Sequence, residues 1–296
     1  MEQERRELLG PEGRRIVFHL AGPEQGDLVV YHTGTPGTPA IYAGMIGECV
    51  ARGLRIACPA RPGYSGSDRV RGRTYADNPV DTAVVADSLG AETFYAMGYS
   101  GGGGPALADA ALLGDRVRAV AVGAALGPHP EMGPSWRDGL DTANKEELKA
   151  IEAGEAVLRE FLEERAEALR QAKTGDQVTT DSDFSRLYAP VDRECFQGEF
   201  LDFVVDSFPE LANRGVDGWI DDDFAFFGDW GFDLSQIAVP VTIWRGGHDR
   251  VVPLAHAEWL AAHVPGARLR LRPDEGHVSL LTRCFGEMLD ELIALG

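Results

Sequence analysis

The sequence predicts an α/β fold in which a mostly parallel central sheet is flanked by helices and interrupted by an inserted helical segment. Short β-branched runs alternate with longer helical patterns over residues 1–127 and again over 237–296. This rhythm is typical of parallel strands joined by helices. Over residues 128–236 the alternation stops, and helical, acidic sequence takes over. We therefore expect one core that is split by an insertion, not two consecutive domains.

The first part of the core contains five predicted strands and three predicted helices. The strands are expected at 14–20, 27–31, 54–58, 93–97 and 117–122. The helices are expected at 39–52, 80–89 and 102–113. In the insertion, apolar residues at near-helical spacing predict a helix over 145–173. The second part of the core is expected to contain strand 241–244, helix 254–263, strand 268–271 and a terminal helix from about Val278.

Composition argues against several classes of partner and cofactor. The formal net charge is -19, and this would repel a nucleic-acid backbone or an anionic membrane surface. We therefore expect a small-molecule substrate, no nucleic acid and no membrane. The four cysteines lie far apart without a Cys-x-x-Cys pair, so neither a zinc site nor a disulfide framework is indicated. Free thiols in a reducing compartment, with no metal and no cofactor, are the expectation.

The location is predicted from the amino terminus and from the lengths of the apolar runs. Residues 1–13 are charged and lack the apolar stretch of a signal peptide. No apolar run approaches the roughly 20 residues that span a bilayer. We therefore expect a soluble, cytoplasmic protein, and the sequence leaves open whether it is a homo-oligomer.

Residues 98–102 read Gly-Tyr-Ser-Gly-Gly and satisfy Gly-x-Ser-x-Gly, the pattern of a sharp strand-to-helix turn that exposes a serine. A near-duplicate occupies 63–67, but a polar loop without helical character follows it. Ser100 instead lies between an apolar strand and a helix rich in glycine and alanine, which is the required order. Ser100 is therefore the predicted nucleophile, and Ser65 is the weaker alternative.

A serine hydroxyl needs a base within hydrogen-bond reach, because it is a poor nucleophile at neutral pH. His277, one of seven histidines, follows the last predicted strand and reaches the sheet edge where sites of open α/β sheets form. The alternatives lie in predicted strands or helices, at the start of the insertion or beside the predicted acid: His19, His256, His263, His129 and His248. His277 is the predicted general base.

Asp249 is the predicted acid that orients the histidine. It lies in the loop after strand 241–244, which reaches the same sheet edge as His277. The loop 123–127, which follows another strand at this edge, contains no carboxylate. The alternatives are that Asp249 only caps a helix and that Asp274 is the acid.

Acyl transfer builds negative charge on a carbonyl oxygen, which backbone N–H groups stabilise. One donor is expected from Gly101, directly after the nucleophile, and the second from a loop that follows an early strand. Residues 32–37, His-Thr-Gly-Thr-Pro-Gly, form that loop.

Together these segments resemble the α/β-hydrolase superfamily, and within it the capped serine hydrolases. The resemblance covers nearly the whole core and rests on residues 34–37, 61–67, 98–102, Asp249 and Gly276-His277. It implies an α/β-hydrolase fold with a helical cap at 128–236, a triad in the order Ser, Asp, His, and Thr35 as the second donor of the oxyanion hole. The chain departs from the family at Thr33, where histidine is usual and His32 is displaced by one.

A serine nucleophile makes dehalogenation or epoxide opening, which use aspartate, unexpected, and it leaves an ester, lactone, thioester or activated amide as the substrate. Aromatic side chains in the second half of the cap could line an apolar acyl pocket. Phe227 and Trp230, nearest the return to the core, are the candidate substrate contacts. We predict hydrolysis of an ester of a small to medium apolar molecule through an acyl-enzyme.

Three alternatives stay open at this point. The acidic cap resembles that of proline iminopeptidases, whose cap carboxylates bind a free amino end. Carbon–carbon bond hydrolysis of a diketone resembles the chemistry of this family and uses the same residues. Some members of the fold are ligand receptors without turnover.

Overall fold

A computed structural model describes residues 2–171 and 187–296, and within them the chain forms an eight-stranded sheet with the order β1-β2-β4-β3-β5-β6-β7-β8. The two pairs at one edge, β1/β2 and β2/β4, are antiparallel, and the other neighbouring pairs are parallel. The strands are β1 Glu4–Leu9, β2 Arg15–Ala21, β3 Asp27–His32, β4 Leu54–Pro59, β5 Phe94–Tyr99, β6 Val117–Gly123, β7 Val241–Gly246 and β8 Arg268–Arg272. This confirms the predicted, mostly parallel α/β sheet.

The sequence prediction missed β1, which pairs with β2 from Glu4 opposite Leu20 to Leu9 opposite Arg15. Its residues, Glu-Arg-Arg-Glu-Leu-Leu, are exposed or half-buried, because β1 is the edge strand of the sheet. Edge strands are often charged, which discourages pairing with other chains. The apolar run that indicates a buried strand is therefore missing here.

Helices flank the sheet and fill the interval between β6 and β7. They are α1 Ala43–Ala51, α2 Asn78–Ser88, α3 Gly103–Leu112, α4 His129–Met132, α5 Thr142–Ala153, α6 Glu155–Gln171, α7 Pro190–Arg193, α8 Gly198–Asn213, α9 Asp217–Phe227, α10 Leu254–His263 and α11 His277–Leu295. The helix predicted at 145–173 is two helices, since α5 ends at Gly154, which has a φ of 100°. Residues 172–173 of that prediction lie outside the described residues.

The interval between β6 and β7 contains α4 to α9, and we call residues 128–236 the inserted segment. Residues 172–186 of this segment lie outside the described residues. Within the described part of the chain, no helix combines the length and the apolar character that crossing a bilayer requires. The four cysteines form no disulfide in the structure.

Both faces of the sheet are buried, because successive side chains of a strand point to opposite sides. In β3, Leu28 and Val30 belong to the apolar cluster that also contains Leu107 of α3. Val29 belongs to the cluster on the other face, together with Leu289 of α11. The sheet thus lies between two helical layers. The loops that follow β3, β5, β7 and β8 lie at the carboxyl ends of these parallel strands, which form one edge of the sheet.

Gly47 offers a simple test of the helix assignment. It is exposed on α1, and a Cβ placed on it would meet no atom within 4 Å. We expect Gly47→Ala to raise the free energy of unfolding by about 0.5–1 kcal/mol, since alanine restricts the unfolded chain and favours the helix. Urea denaturation measures this. The control is Gly104→Ala on α3, which should destabilise the fold because its Cβ would enter the ring of Tyr75; a loss of stability at Gly47 would contradict the expectation.

Candidate active site

Ser100 lies on a sharp turn between β5 and α3. Its φ is 53°, and the 3-10 turn Ser100–Gly102 leads directly into the helix. The left-handed region costs a non-glycine residue about 1–3 kcal/mol, and such strain clusters at functional sites. At Gly98 a Cβ would lie 2.9 Å from the Cβ of Ala106, so the turn needs glycine there. The half-buried Ser100 is thus presented at the carboxyl edge of the sheet.

The near-duplicate turn around Ser65 differs from this arrangement. Ser65 also has a positive φ, 47°, but only 4% of it is exposed. Residues 68–72 follow it without a helix. A positive φ therefore occurs at both serines, and the strand-turn-helix order occurs only at Ser100.

The loop after β3 lies against Ser100. At Gly34 a Cβ would be 3.3 Å from the Cβ of Ser100 and 3.8 Å from its Oγ. At Gly101 a Cβ would be 3.1 Å from the main-chain nitrogen of Thr35. A side chain at Gly101 would displace this loop, whereas one at Gly34 would require Ser100 to shift slightly, and the main-chain nitrogen of Thr35 lies close to Gly101.

His277 and Asp249 form a buried pair at the same edge of the sheet. The Nδ1 of His277 donates to Oδ2 of Asp249 at 3.0 Å, and each residue is 7% exposed. The other carboxylate oxygen, Oδ1, accepts the main-chain N–H groups of Val251 at 2.8 Å and Val252 at 3.0 Å. With Nδ1 occupied as a donor, Nε2 of the neutral ring carries the free lone pair.

The charges around this pair change the pKa of both members. Burial alone would lower the pKa of His277, but the Asp249 carboxylate outweighs it and raises the pKa above its ordinary value. Burial alone would raise the pKa of Asp249, whereas His277 and the two N–H donors lower it. The pair is therefore suited to hold a proton on the ring while the carboxylate stays ionised.

Tyr99 connects His277 to the turn that contains Ser100. Its hydroxyl donates to the main-chain carbonyl of His277, and the two rings meet edge to face with centroids 5.5 Å apart. Because Tyr99 directly precedes Ser100, this hydrogen bond connects the main chain of His277 to the turn that contains Ser100. The structure thus brings Ser100, His277 and Asp249 to one edge of the sheet.

Residues 27–283 match a family described as alpha/beta hydrolase fold, which covers most of the chain. The chain belongs to the α/β-hydrolase family. Over 272 residues it is 27% identical to a 2-hydroxy-6-oxo-6-phenylhexa-2,4-dienoate hydrolase of Burkholderia cepacia. That match covers 88% of this chain and 84% of the relative.

Solved structures share the α/β-hydrolase fold over nearly the full length of the chain. A bromoperoxidase from Bacillus anthracis has a TM-score of 0.73 at 20% identity and covers 99% of this chain and 100% of its own. An enol-lactonase from Burkholderia xenovorans LB400 has a TM-score of 0.70 at 17% identity and covers 98% and 100%. The predicted family and fold are confirmed, but the fold does not fix the substrate.

In this α/β-hydrolase, Arg61 binds the loop after β3 through several hydrogen bonds. Its Nη1 donates to the carbonyl of Thr33 at 2.5 Å, and its Nη2 donates to the carbonyl of Gly34 at 2.8 Å and to the Thr35 hydroxyl at 3.1 Å. The guanidinium is fully buried and pairs with Asp222 of α9, with 2.6 Å between Nη2 and Oδ2. Arg61 thus joins the inserted segment to the loop that contains Thr35.

Asp222 is the centre of this buried network. Its carboxylate accepts from Arg61, from Arg73, from the Tyr64 hydroxyl at 3.0 Å and from the Thr35 hydroxyl at 2.8 Å. Burial alone would raise the pKa of Asp222, but the two arginines lower it to about 2. The carboxylate is therefore ionised throughout the physiological range.

A further contact joins the inserted segment to the loop that contains Asp249. The side-chain amide of Asn144 on α5 donates to the carbonyl of Val251 at 2.9 Å. Sequence reasoning missed the contacts of Asn144 and Asp222 with the site loops. For Asp222 a signal was the run of three aspartates at 221–223 within an apolar helix, which indicates buried charges that need partners.

Other histidines have structural partners. His256 is fully buried, where its Nδ1 accepts the N–H of Gly127 at 3.1 Å, and burial lowers its pKa to about 4. His32, next to the unusual Thr33, pairs its Nε2 with Asp109 of α3 at 2.7 Å. Both are packed into the protein interior, away from solvent.

The two predicted substrate contacts lie in different surroundings. Phe227 is half-buried and stacks on His129 with ring centroids 3.9 Å apart. Trp230 is buried, donates from Nε1 to the carbonyl of Phe226 at 3.3 Å and packs against Tyr75. Both stay predictions as substrate contacts. Within residues 2–171 and 187–296, no group of three or more His, Cys, Asp or Glu side chains is arranged to hold a metal ion.

Proposed function

We propose that this protein is a serine hydrolase that cleaves an ester, lactone or thioester bond of a small to medium apolar substrate through an acyl-enzyme. In this proposal Ser100 is the nucleophile, His277 the general base and Asp249 the acid that orients the base. One observation supports it above the others: the strained turn of Ser100 and the buried His277–Asp249 pair lie at the same edge of the sheet.

The proposed reaction proceeds in two halves. The Oγ of Ser100 attacks the substrate carbonyl carbon while Nε2 of His277 takes the hydroxyl proton. The tetrahedral intermediate collapses, the bond to the leaving atom breaks, and the imidazolium gives its proton to that atom, which is oxygen in an ester or lactone and sulfur in a thioester. Water, deprotonated by His277, then attacks the acyl-enzyme and releases the carboxylic acid and Ser100. Asp249 stabilises the imidazolium in both halves through its bond to Nδ1.

The N–H groups of Thr35 and Gly101 are the proposed oxyanion hole. The closeness of the Thr35 nitrogen to Gly101 supports this pairing. Loss of one such donor typically costs about 100- to 1,000-fold in rate. The Arg61–Asp222 pair supplies no proton, but it fixes the loop from which Thr35 would donate.

The inserted segment is proposed to be the cap that excludes water from the acyl group. The half-buried Phe227, stacked on His129 at the start of the segment, offers an apolar surface of the kind that an acyl chain needs. Of the carboxylates of α9, Asp221 pairs with Arg69 and Asp222 with Arg61. Within the described residues, Asp223 of the same helix is fully buried without an ion pair, so a substrate test must decide on an aminopeptidase that binds a free amino end.

Carbon–carbon bond hydrolysis of a dienoate is the second candidate. It is supported by the 27% identity to a dienoate hydrolase over most of both chains. The same base and the same oxyanion donors would serve this reaction, so substrates must separate it from ester hydrolysis.

The test combines an active-site probe with a set of substrates. A fluorophosphonate should label the folded protein once, and p-nitrophenyl acetate, butyrate and octanoate should be hydrolysed. A 2-hydroxy-6-oxo-dienoate, followed by loss of its absorbance, tests the second candidate, and proline-naphthylamide tests the aminopeptidase. Turnover of the dienoate alone would replace ester hydrolysis with the second candidate. Absence of labelling in folded protein would contradict the proposal and favour a ligand-binding module.

A further inference from the structure

Asp192, a residue of the inserted segment, caps the helix that begins with His277. Its carboxylate is fully buried. The Oδ2 atom accepts the main-chain N–H of His277 at 3.0 Å, and Oδ1 accepts those of Val278 at 2.7 Å and Ser279 at 2.9 Å. Oδ2 also accepts the N–H of Ala189 at 3.2 Å, which holds the aspartate in its own short helix, α7.

The local sequence of α11 provides no such cap for these three N–H groups. The first N–H groups of a helix lack intrahelical partners, and a side chain just before the helix usually satisfies them. Here the preceding residue is Gly276, and a Cβ at that position would overlap the carboxylate of Asp192. The cap therefore comes from 85 residues earlier in the chain.

The Asp192 carboxylate binds the main chain of His277, and its negative charge acts on the imidazole of that residue. A carboxylate at a helix N-terminus is stabilised by the aligned peptide dipoles. Asp192 and Asp249 both favour the protonated ring, while burial and Arg245 oppose it. Charged and titratable groups face the His277 ring from several elements. Arg245 belongs to β7 and Asp249 to the loop after it, and Asp192 belongs to α7. The rings of Tyr99 in β5 and of Tyr188, just before α7, also contact the imidazole.

We propose that Asp192 is a positioning residue of the hydrolytic site, which fixes the first turn of α11 and stabilises the protonated form of His277. This inference rests on the proposed function, in which His277 is the base. Asp192 does not itself contact the substrate. The basicity of His277 thereby depends on the inserted segment, because the Asp192 carboxylate reaches the first turn of α11 only when α7 is docked there.

The main test is Asp192→Asn, which removes the charge and keeps the size of the side chain. The readout is the second-order rate of fluorophosphonate labelling of Ser100 as a function of pH. Labelling requires the neutral ring, so the rate rises with pH through the pKa of His277. We expect the acid limb of this profile to move to lower pH in Asp192→Asn. Asp192→Ala should in addition lower the plateau rate by about 10- to 100-fold, since a displacement of 1 Å can cost about that much.

Two further variants separate charge from structure. Asp233→Asn is the matched control, since Asp233 caps the short turn Leu234–Gln236 of the same segment by accepting the N–H of Ser235 at 2.8 Å. Its acid limb should match that of the wild type. Asp192→Glu retains the charge, so its acid limb should also stay in place even if its plateau falls. If Asp192→Asn does not fold, the acid limb of Asp192→Ala, which also lacks the charge, carries the test. An unmoved acid limb in folded Asp192→Asn, or the same displacement in Asp192→Glu, would overturn the inference.

A measurement that needs no reaction distinguishes this inference from the proposed function. The ring proton resonance of His277, assigned by its loss in His277→Gln, is titrated by NMR in the wild type and in Asp192→Asn. A lower titration midpoint in the variant supports the role of Asp192 even if the wild type is not labelled. Equal midpoints overturn that role even if labelling shows an active serine.

Discussion

Ser100→Ala is expected to lower turnover by about 10⁴- to 10⁶-fold, because residues of such a triad act as a unit and lose nearly all their effect when one is removed. The variant should fold as the wild type does, since alanine keeps the Cβ and removes only the half-buried hydroxyl. Hydrolysis of a p-nitrophenyl ester, with circular dichroism as the check on folding, measures this. Fluorophosphonate labelling should disappear together with turnover.

Ser65→Ala is the matched control for this experiment. The two serines occupy similar Gly-Tyr-Ser-Gly turns, and both have a positive φ. Ser65 is buried and is not followed by a helix, so its loss should leave labelling and turnover close to the wild-type values. If Ser65→Ala abolished labelling while Ser100→Ala retained it, the nucleophile would be the other serine.

Asp222→Asn should have the second large effect, on stability. It removes the negative charge that Arg61 and Arg73 share in a fully buried site. Breaking a buried ion pair on one side typically costs about 3–5 kcal/mol, because an uncompensated charge remains. Urea denaturation should therefore show a free energy of unfolding lower by that amount. Loss of the bond to the Thr35 hydroxyl should also lower the labelling rate of the folded fraction.

The difference in unfolding free energy between the wild type and Asp222→Asn should depend on pH in a defined direction. The pKa of Asp222 is lowered from 3.8 to about 2 in the folded protein, so its contribution is complete above about pH 4. The contribution is lost as the pH falls through about 2. The difference in unfolding free energy between wild type and variant should thus be constant from neutral pH to about pH 4 and shrink below it.

Asp290→Asn is the same chemical change in an exposed pair. Asp290 binds Arg52 on the surface, and 64% of its side chain is exposed. Exposed pairs contribute at most about 1 kcal/mol. Equal losses of stability in Asp222→Asn and Asp290→Asn would mean that the buried network does not hold the inserted segment to the core as we infer.

The sequence predicts the fold well where hydrophobic pattern and secondary structure coincide. Strands β2 to β7 lie within a few residues of their predicted positions because each contains a compact run of buried, mostly apolar side chains. Strand β8, Arg-Leu-Arg-Leu-Arg, is exposed or half-buried, and it was predicted from the alternation of leucine and arginine. Strand β1 was missed because an exposed, charged edge strand lacks that run. The turn of Ser100 and the loops of Asp249 and His277 were found because each follows a recognisable strand.

The contacts that hold the site together could not be predicted from one sequence. Asp192 acts on a helix 85 residues away, and Asp222 is 161 residues from Arg61. The aspartate run at 221–223 indicates buried charges, but it does not identify Arg61 as the partner, and a single aspartate in a short helix is usually a surface residue. Pairings of this kind depend on how the segment docks, which spacing along the chain does not encode.

The inserted segment contacts the site through Asp222, Asn144 and Asp192, each of which meets a different loop or helix. A chimera that receives the corresponding segment of a relative would therefore exchange the proposed cap and at the same time lose three anchors of the candidate active site. Exchange of this region between relatives should yield working proteins only where the donor brings matching partners for the Thr35 hydroxyl, the Val251 carbonyl and the first N–H groups of the last helix.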